Sequence, residues 1–182
     1  MLIAPLAFHL DPALPADRQT IRDVTRITHH NEEAYAGALA IAASIRQRAF
    51  EGSAPEQLFE NVVSYLPDSR VRDRVQAFAA LPKNLELTDL GQRFGTSGYV
   101  VESVPLALYA AQSIAGRPLD VLLRNVIEAG GDTDTIASMT GQLAGAWLGA
   151  SKISHALLAS LPNAAQIEDI VNAFAAQVIS AS

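Results

Sequence analysis

Two helical patterns meet in the stretch Gly130-Gly131-Asp132-Thr133-Asp134-Thr135-Ile136-Ala137. Ahead of it, apolar residues recur at helical spacing from Leu119 to Ile127, and a glycine at 130 favours the left-handed conformation that ends a helix. After it, helical spacing continues from Ile136 to Leu148. The stretch therefore predicts a helix, a break of two glycines, and a second helix that opens with two carboxylates and a hydroxyl.

The acidic residues in this link support two interpretations. Carboxylates between buried helices are costly unless a cation or a hydrogen-bond donor compensates them. Asp132, Asp134 and Thr135 offer hard oxygen ligands of the kind that Mg²⁺, Mn²⁺ or Ca²⁺ prefers. Alternatively, Asp132 caps the second helix by accepting hydrogen bonds from the backbone N–H groups of its first turn. The local pattern leaves both interpretations open.

Two helices carry patterns that predict close packing. Glycines at 141, 145 and 149 keep one side of the helix after the acidic link thin, which predicts a deeply packed helix. The last helix of the chain has one apolar face, which we expect to pack against the rest of the protein: Ile167, Ile170, Val171, Phe174 and Val178.

Helical patterns and turn residues also account for the rest of the chain. Of the 182 residues, 49% are apolar and 6% are aromatic, so the core is expected to consist mainly of Ala, Leu, Val and Ile. This length and composition suffice for one domain spanning 1–182. Because the sequence contains no alternating strand runs and no internal repeat, we predict an all-α domain of about seven to nine helices.

Two further polar stretches interrupt the helical patterns. Thr28-His29 precedes a long alanine-rich helix, and Thr28 is positioned to cap it; His29 is either solvated at the cap or directed into the same cleft as Asp132. Gly91 to Gly98 contains three glycines ahead of another helix. Such a loop binds an anion through its backbone N–H groups or acts as a flexible connector, and its spacing matches no nucleotide-binding fingerprint.

Composition excludes several classes of function. A net charge of −6 without a basic cluster argues against a nucleic-acid surface. No apolar run reaches the length of a membrane span, and the apolar N-terminus lacks the basic region of a signal peptide. The chain has no cysteine, which excludes disulfides and thiolate chemistry and fits a cytoplasmic protein.

The three polar stretches together resemble the ADP-ribosylglycohydrolase family. Its most specific motif is Gly-Gly-Asp-Thr-Asp-Thr-Ile-Ala, which occurs here at 130–137. The threonine-histidine pair of the family resembles Thr28-His29, and its loop and helix resemble residues 95–109. The resemblance implies the family's orthogonal all-α bundle, and a hydrolase that cleaves the bond between the ribose C1″ and a modified side chain or small leaving group.

The resemblance also implies a metal site. Asp132, Asp134 and Thr135 match positions that bind Mg²⁺ or Mn²⁺ in the family. Other metal ligands and the catalytic acid of the family lie in a Gly-Asp segment and a Thr-Asp-Asp motif, which precede the point at which this chain begins. We therefore expect an N-terminally truncated bundle with one side of a two-metal site, holding one weakly bound ion.

The ligand implied by the resemblance is ADP-ribose or an ADP-ribosylated protein or small molecule. His29 would help to hold its phosphates, and Gly98, Tyr99 and Ser103 would line the nucleotide side of the cleft. A truncated bundle would also take a second copy of itself or a complementing chain as partner. A protein that binds ADP-ribose without cleaving it, or an oligomeric scaffold, is the alternative function.

Overall fold

Helices make up the regular structure of this protein, for which a computed structural model describes residues 3–181. The α-helices are α1 Pro15–Arg26, α2 Glu32–Glu51, α3 Leu58–Val63, α4 Arg70–Ala79, α5 Leu87–Phe94, α6 Val100–Gln112, α7 Leu119–Glu128, α8 Thr133–Leu148, α9 His155–Ala159 and α10 Ala164–Ala181. No β-strand occurs in this part of the chain, which confirms the predicted all-α class. Ten α-helices occur in this part of the chain, one more than the upper end of the predicted range, because the short helix α5 gives no clear signal in the sequence.

The centre of the fold consists of α2, α6 and α8, which pack against one another. Residues 34–45 of α2 are buried on every side, as are most residues of α6. On α8, Ile136, Met139 and Leu143 are almost completely buried. Alanines on α2 and α6 allow this close approach, because a small side chain adds little width to a helix. The N-terminal ends of these three helices surround the polar residues described below.

The start of α2 differs from the expected cap. Asn31, rather than Thr28, caps the helix, because the Asn31 side chain accepts a hydrogen bond from the backbone N–H of Glu33. The Glu33 carboxylate in turn accepts hydrogen bonds from the backbone N–H groups of Arg70 and Val71, at 3.0 and 2.9 Å. A side chain of α2 thus provides hydrogen-bond acceptors for the free backbone N–H groups in the first turn of α4. These bonds fix the position of α4 beside α2.

Helix α8 is deeply packed, as predicted, but its glycine side is not the face that is buried. A Cβ atom added at Gly141 or Gly145 would meet no other atom within 4 Å among residues 3–181. The opposite face of α8 provides its burial instead, because Leu143 and Ala144 are completely enclosed. The glycines therefore do not create a close helix contact in this structure.

The apolar face of α10 is largely exposed, so the expectation that it packs against the protein was wrong. Ile167, Ile170 and Val171 are 44%, 63% and 55% exposed. The ring of Phe174 makes edge contacts with Phe8 and His9, at centroid distances of 6.0 and 5.3 Å.

None of the helices within residues 3–181 combines the length and apolar character that crossing a membrane requires.

Candidate functional site

The three polar stretches of the sequence meet at one cleft. Its volume is about 380 Å³, within the range of roughly 300–1,000 Å³ that small-molecule sites occupy. Polar groups and backbone line one part of it, and apolar side chains line the rest: His29, Asn31, Gly98, Tyr99, Ser103, Asp132 and Thr135, with Ala34, Val100 and Met139. Residues far apart in the chain thus converge where α2, α6 and α8 begin.

The glycine-containing loop at residues 91–98 is hydrogen-bonded to the acidic link at residues 130–135. The backbone N–H of Asp132 donates to the carbonyl oxygen of Thr96 at 2.7 Å. Gly131 has a positive φ of 75°, and a Cβ atom there would overlap that same carbonyl group. A Cβ atom at Gly98 would overlap the carboxylate of Asp132. The two glycines therefore allow the loop and the link to touch, and this contact places Asp132 at the cleft.

A carboxylate from α6 also holds the loop. Glu102 accepts hydrogen bonds from the Ser97 hydroxyl at 2.7 Å and the Ser97 backbone N–H at 3.0 Å. These bonds, together with the charge of Arg74, hold the pKa of Glu102 below its ordinary value despite partial desolvation. Tyr99 is fixed in the same turn, because its backbone N–H donates to the Ser97 hydroxyl. The loop is an ordered wall of the cleft rather than a flexible connector.

Asp132 occupies the N-cap position of α8 but makes no capping hydrogen bond with its side chain. The interpretation of Asp132 as an ordinary helix cap was therefore wrong. Asp134 is exposed, and the neighbouring Asp132 side chain together with backbone N–H groups at the start of α8 lowers the pKa of Asp134. Asp132 and Thr135 line the cleft, whereas Asp134 is not among the residues that line it.

His29 lies in the turn that connects α1 to α2. Its backbone N–H donates to the carbonyl oxygen of Thr25 at 2.9 Å, and its Nδ1 atom lies 2.7 Å from the Thr28 hydroxyl. The imidazole is exposed and lines the cleft, which leaves its Nε2 atom available to a ligand. The two placements that the sequence left open are not exclusive, because the exposed imidazole also lines the cleft of Asp132.

The family model of the ADP-ribosylglycohydrolases matches residues 1–181. This chain belongs to that family. The family predicted from the three polar stretches is thereby confirmed, and the helical content of the structure agrees with it.

Three curated proteins that this ADP-ribosylglycohydrolase family member resembles are distant from it in sequence. ADP-ribosylhydrolase ARH3 of Gallus gallus is 27% identical over 177 residues, which covers 77% of this chain and 48% of the relative. The uncharacterized protein YegU of Escherichia coli is 29% identical over 158 residues, with 78% and 46% covered. An uncharacterized protein of Archaeoglobus fulgidus is 27% identical over 149 residues, with 80% and 47% covered. The chain thus spans about half the length of the curated relatives it matches.

Residues of this family member could supply part of the coordination shell of a divalent ion. Asp132, Asp134 and Thr135 carry the oxygen donors that Mg²⁺ and Mn²⁺ prefer. Within residues 3–181, however, no group of three or more His, Cys, Asp or Glu side chains converges as a metal site. The donors present fit a Mg²⁺ ion held through one or two carboxylates and completed by water or substrate oxygens. They do not fit an ion enclosed by this chain alone.

Several residues at the cleft were not found by sequence reasoning. Asn31 and Met139 line it, and the hydroxyl of Tyr99 accepts a hydrogen bond from Arg70 at 3.2 Å. Asn31 has the signal of a helix cap, but that signal does not indicate a cleft. Arg70 lies beside the cleft and gives no signal in the sequence, because its position depends on the contact of α4 with Glu33.

Proposed function

We propose that this protein binds ADP-ribose in the cleft and takes part in metal-assisted hydrolysis of the bond between the ribose C1″ and an attached side chain or small leaving group. The convergence of His29, the Gly95–Gly98 loop and Asp132 on one cleft carries this proposal. Family membership supports it, since this arrangement brings together the stretches by which the sequence resembles the family. A cysteine-free chain is compatible with a reducing compartment, so we place this activity in the cytoplasm.

Each polar group has a role in this proposal. Asp132, Asp134 and Thr135 would hold Mg²⁺ or Mn²⁺, with the remaining coordination positions taken by water, by substrate or by residues outside this chain. When bound, such an ion orients hydroxyl groups and a water molecule and stabilises charge that develops as a bond breaks. The ordered turn at Gly98 would present backbone to the nucleotide, and His29 would donate to a phosphate oxygen from Nε2.

A second function, binding of ADP-ribose without hydrolysis, is favoured by one observation. The described residues offer two carboxylates and a hydroxyl at the candidate metal site, and Asp134 is outside the cleft lining. A single loosely held ion is sufficient to assist binding of a diphosphate. In this version, hydrolysis requires a complementing chain or a second copy that supplies further acidic groups.

Calorimetry with ADP-ribose, with and without Mg²⁺, tests the binding step, and cleavage of a mono-ADP-ribosylated peptide tests the reaction. Asp132→Asn should weaken Mn²⁺ binding, measured by electron paramagnetic resonance, and should weaken ADP-ribose binding in Mg²⁺. Asp120→Asn is the matched control, because Asp120 is exposed at the far end of α7, about 15 Å along that helix from the acidic link.

The possible results separate the two functions. Binding accompanied by cleavage supports the hydrolase, and binding without cleavage supports the second function. Absence of ADP-ribose binding in all metal conditions would exclude both. Equal Mn²⁺ affinity in the Asp132→Asn variant and the wild-type protein would exclude the proposed metal ligands.

A further inference from the structure

The side chain of Tyr99 is contacted by an arginine from another helix. Tyr99 lies directly before α6, lines the cleft and is 36% exposed. Arg70, the first residue of α4, donates a hydrogen bond to the Tyr99 hydroxyl at 3.2 Å. The guanidinium carbon of Arg70 also lies over the Tyr99 ring, 5.5 Å from its centroid. One arginine therefore contacts both the hydroxyl and the ring of a residue that lines the cleft.

Backbone contacts fix the position from which the Tyr99 side chain extends. The Tyr99 N–H donates to the Ser97 hydroxyl at 3.2 Å, and the Tyr99 carbonyl oxygen accepts from the N–H groups of Glu102 and Ser103 at 2.8 and 3.0 Å. These bonds do not act on the two torsions of the side chain, which select among several rotamers. Arg70 contacts the far end of the side chain, so its contacts restrict those torsions.

The position of Arg70 is itself set from α2. The Glu33 carboxylate accepts hydrogen bonds from the backbone N–H groups of Arg70 and Val71, at 3.0 and 2.9 Å. Glu33 directly precedes Ala34, which lines the cleft. Helix α2 thus lines one side of the cleft and, through α4, positions the arginine that contacts Tyr99 on another side.

The charges around Arg70 favour contact with the ring over binding of an anion. Arg70 and Arg74 line a hollow of about 240 Å³ together with Asp73. The Glu33 carboxylate lies at the start of the same helix, and Glu102 interacts with Arg74. Three carboxylates therefore accompany two guanidinium groups, and we expect no net attraction of a phosphate or carboxylate into the hollow. A guanidinium group in this setting is suited to holding an aromatic side chain.

We propose that Arg70 is a positioning residue, which orients the ring of Tyr99 so that the nucleotide of ADP-ribose packs against a preformed surface. The inference rests on the proposed function of the cleft. Aromatic rings provide stacking surfaces for bases. A ring that is ordered before binding loses less side-chain entropy when the ligand enters. Arg70 would thus raise the affinity for ADP-ribose without touching it.

The first measurement needs no ligand. Nuclear magnetic resonance relaxation of ring carbons reports the order of the Tyr99 ring in the wild-type protein and in Arg70→Met. Methionine keeps an unbranched side chain and a high helix propensity but has no N–H donor. We expect the order of the Tyr99 ring to decrease in the variant. The ring of buried Tyr109, whose hydroxyl donates to the Pro82 carbonyl oxygen, should keep its order.

The second measurement is a double-mutant cycle on ADP-ribose affinity, by calorimetry in Mg²⁺. Arg70→Met should weaken binding by about two- to fivefold, because the Tyr99 ring must then be ordered by the ligand. Tyr99→Phe keeps the ring, removes the hydroxyl and should weaken binding by a similar or smaller factor. The double variant should lose less than the product of the two single factors, because both changes act on one contact.

Arg48→Met is the matched control and should bind ADP-ribose as the wild-type protein does. Arg48 lies 14 residues beyond Ala34 on α2, about 21 Å along the helix from the cleft. Thermal unfolding followed by circular dichroism checks that each variant is folded.

Three results would overturn the proposal. Unchanged order of the Tyr99 ring in Arg70→Met would exclude the positioning role and, if ADP-ribose binds, leave the proposed function intact. Wild-type affinity in Tyr99→Phe, with the full loss of Arg70→Met retained in the double variant, would assign Arg70 to direct contact with the ligand. Absence of ADP-ribose binding by the wild-type protein would exclude the proposed function and, with it, any role of Arg70 in binding.

Discussion

The helices around the cleft and the two helices after Gly149 both carry apolar residues at helical spacing, but they differ in burial. On α8, Ile136 and Leu143 are fully enclosed. On α10, Ile170 and Val171 are more than half exposed, and the ring of Phe174 contacts Phe8 and His9 near the start of the chain. Periodicity thus identifies the face of a helix that favours burial, but it does not identify what covers that face.

The polar residues differ between the two regions in the same way. Around the cleft, polar bonds join distant segments: the backbone N–H of Asp132 donates to the Thr96 carbonyl oxygen, and the Glu33 carboxylate accepts from the backbone N–H groups of Arg70 and Val71. In α9 and α10, the hydroxyls of Ser160 and Ser180 bond to carbonyl oxygens three residues earlier in their own helices. The cleft region is therefore held by contacts that cross the fold, and changes there should have larger effects than equivalent changes in α10.

The largest contrast should come from truncating one apolar residue in each region. Leu143→Ala removes a fully buried side chain from α8 and should lower the free energy of unfolding by about 2–5 kcal/mol. Ile170→Ala removes a side chain that is 63% exposed and should change it by no more than about 0.5 kcal/mol. Urea unfolding measures both. A similar loss for Ile170→Ala would mean that the α10 face is buried in solution.

Alanine at two glycines tests the crowding at the cleft. Gly131 and Gly52 both have a positive φ, 75° and 67°, so each alanine should cost about 1–2 kcal/mol in backbone strain. Gly131→Ala should cost about 1–3 kcal/mol more, because its Cβ atom would overlap the Thr96 carbonyl group, whereas the space around Gly52 is open. Equal midpoints in urea unfolding would contradict the contact between the loop and the acidic link.

Removing the charge that holds the loop should have a smaller, pH-dependent effect. Glu102→Gln should lower the free energy of unfolding by about 0.5–1 kcal/mol at neutral pH, because two charge-assisted hydrogen bonds become neutral ones at a partly exposed site. The folded-state pKa of Glu102 lies below the ordinary value of 4.5, so this contribution is present above that pH and is lost as pH falls through the folded-state pKa.

Unfolding curves collected between pH 7 and pH 3 measure the difference between the wild-type protein and the Glu102→Gln variant. Glu168→Gln on α10 is the control, because Glu168 is exposed in the region outside the core. A difference that grows as the pH falls would contradict the assigned role of Glu102.

The smallest effect should be a slight increase in the free energy of unfolding. Thr140 on α8 is completely buried, and its hydroxyl has no hydrogen-bond partner within residues 3–181. Thr140→Val should raise the free energy of unfolding by up to about 0.5 kcal/mol, since an unpaired buried hydroxyl is removed with little change in shape. Thr25→Val should have the opposite sign, because the buried Thr25 hydroxyl donates to the Ile21 carbonyl oxygen at 2.8 Å. Thermal unfolding of both variants compares them directly.

Much of the fold was predictable because helix signals are local. The courses of α2 and α7 follow from residue pattern and spacing, and the proline at 118 marks the start of α7. Short helices were less predictable, because few residues carry the pattern; α5 begins at Leu87 in a segment with no clear signal. The exposed face of α10 could not be predicted, since exposure depends on which other surface is near.

The sequence by itself determined the family, the all-α class and the polar residues at 28–29, 91–98 and 130–137, because these are properties of residue type and short-range order. The tertiary structure decided that these residues share one cleft, since their convergence depends on how α2, α6 and α8 pack. It also decided that the Asp132 side chain does not cap α8 and that Arg70 contacts Tyr99. Both result from contacts between distant segments, which no local pattern specifies.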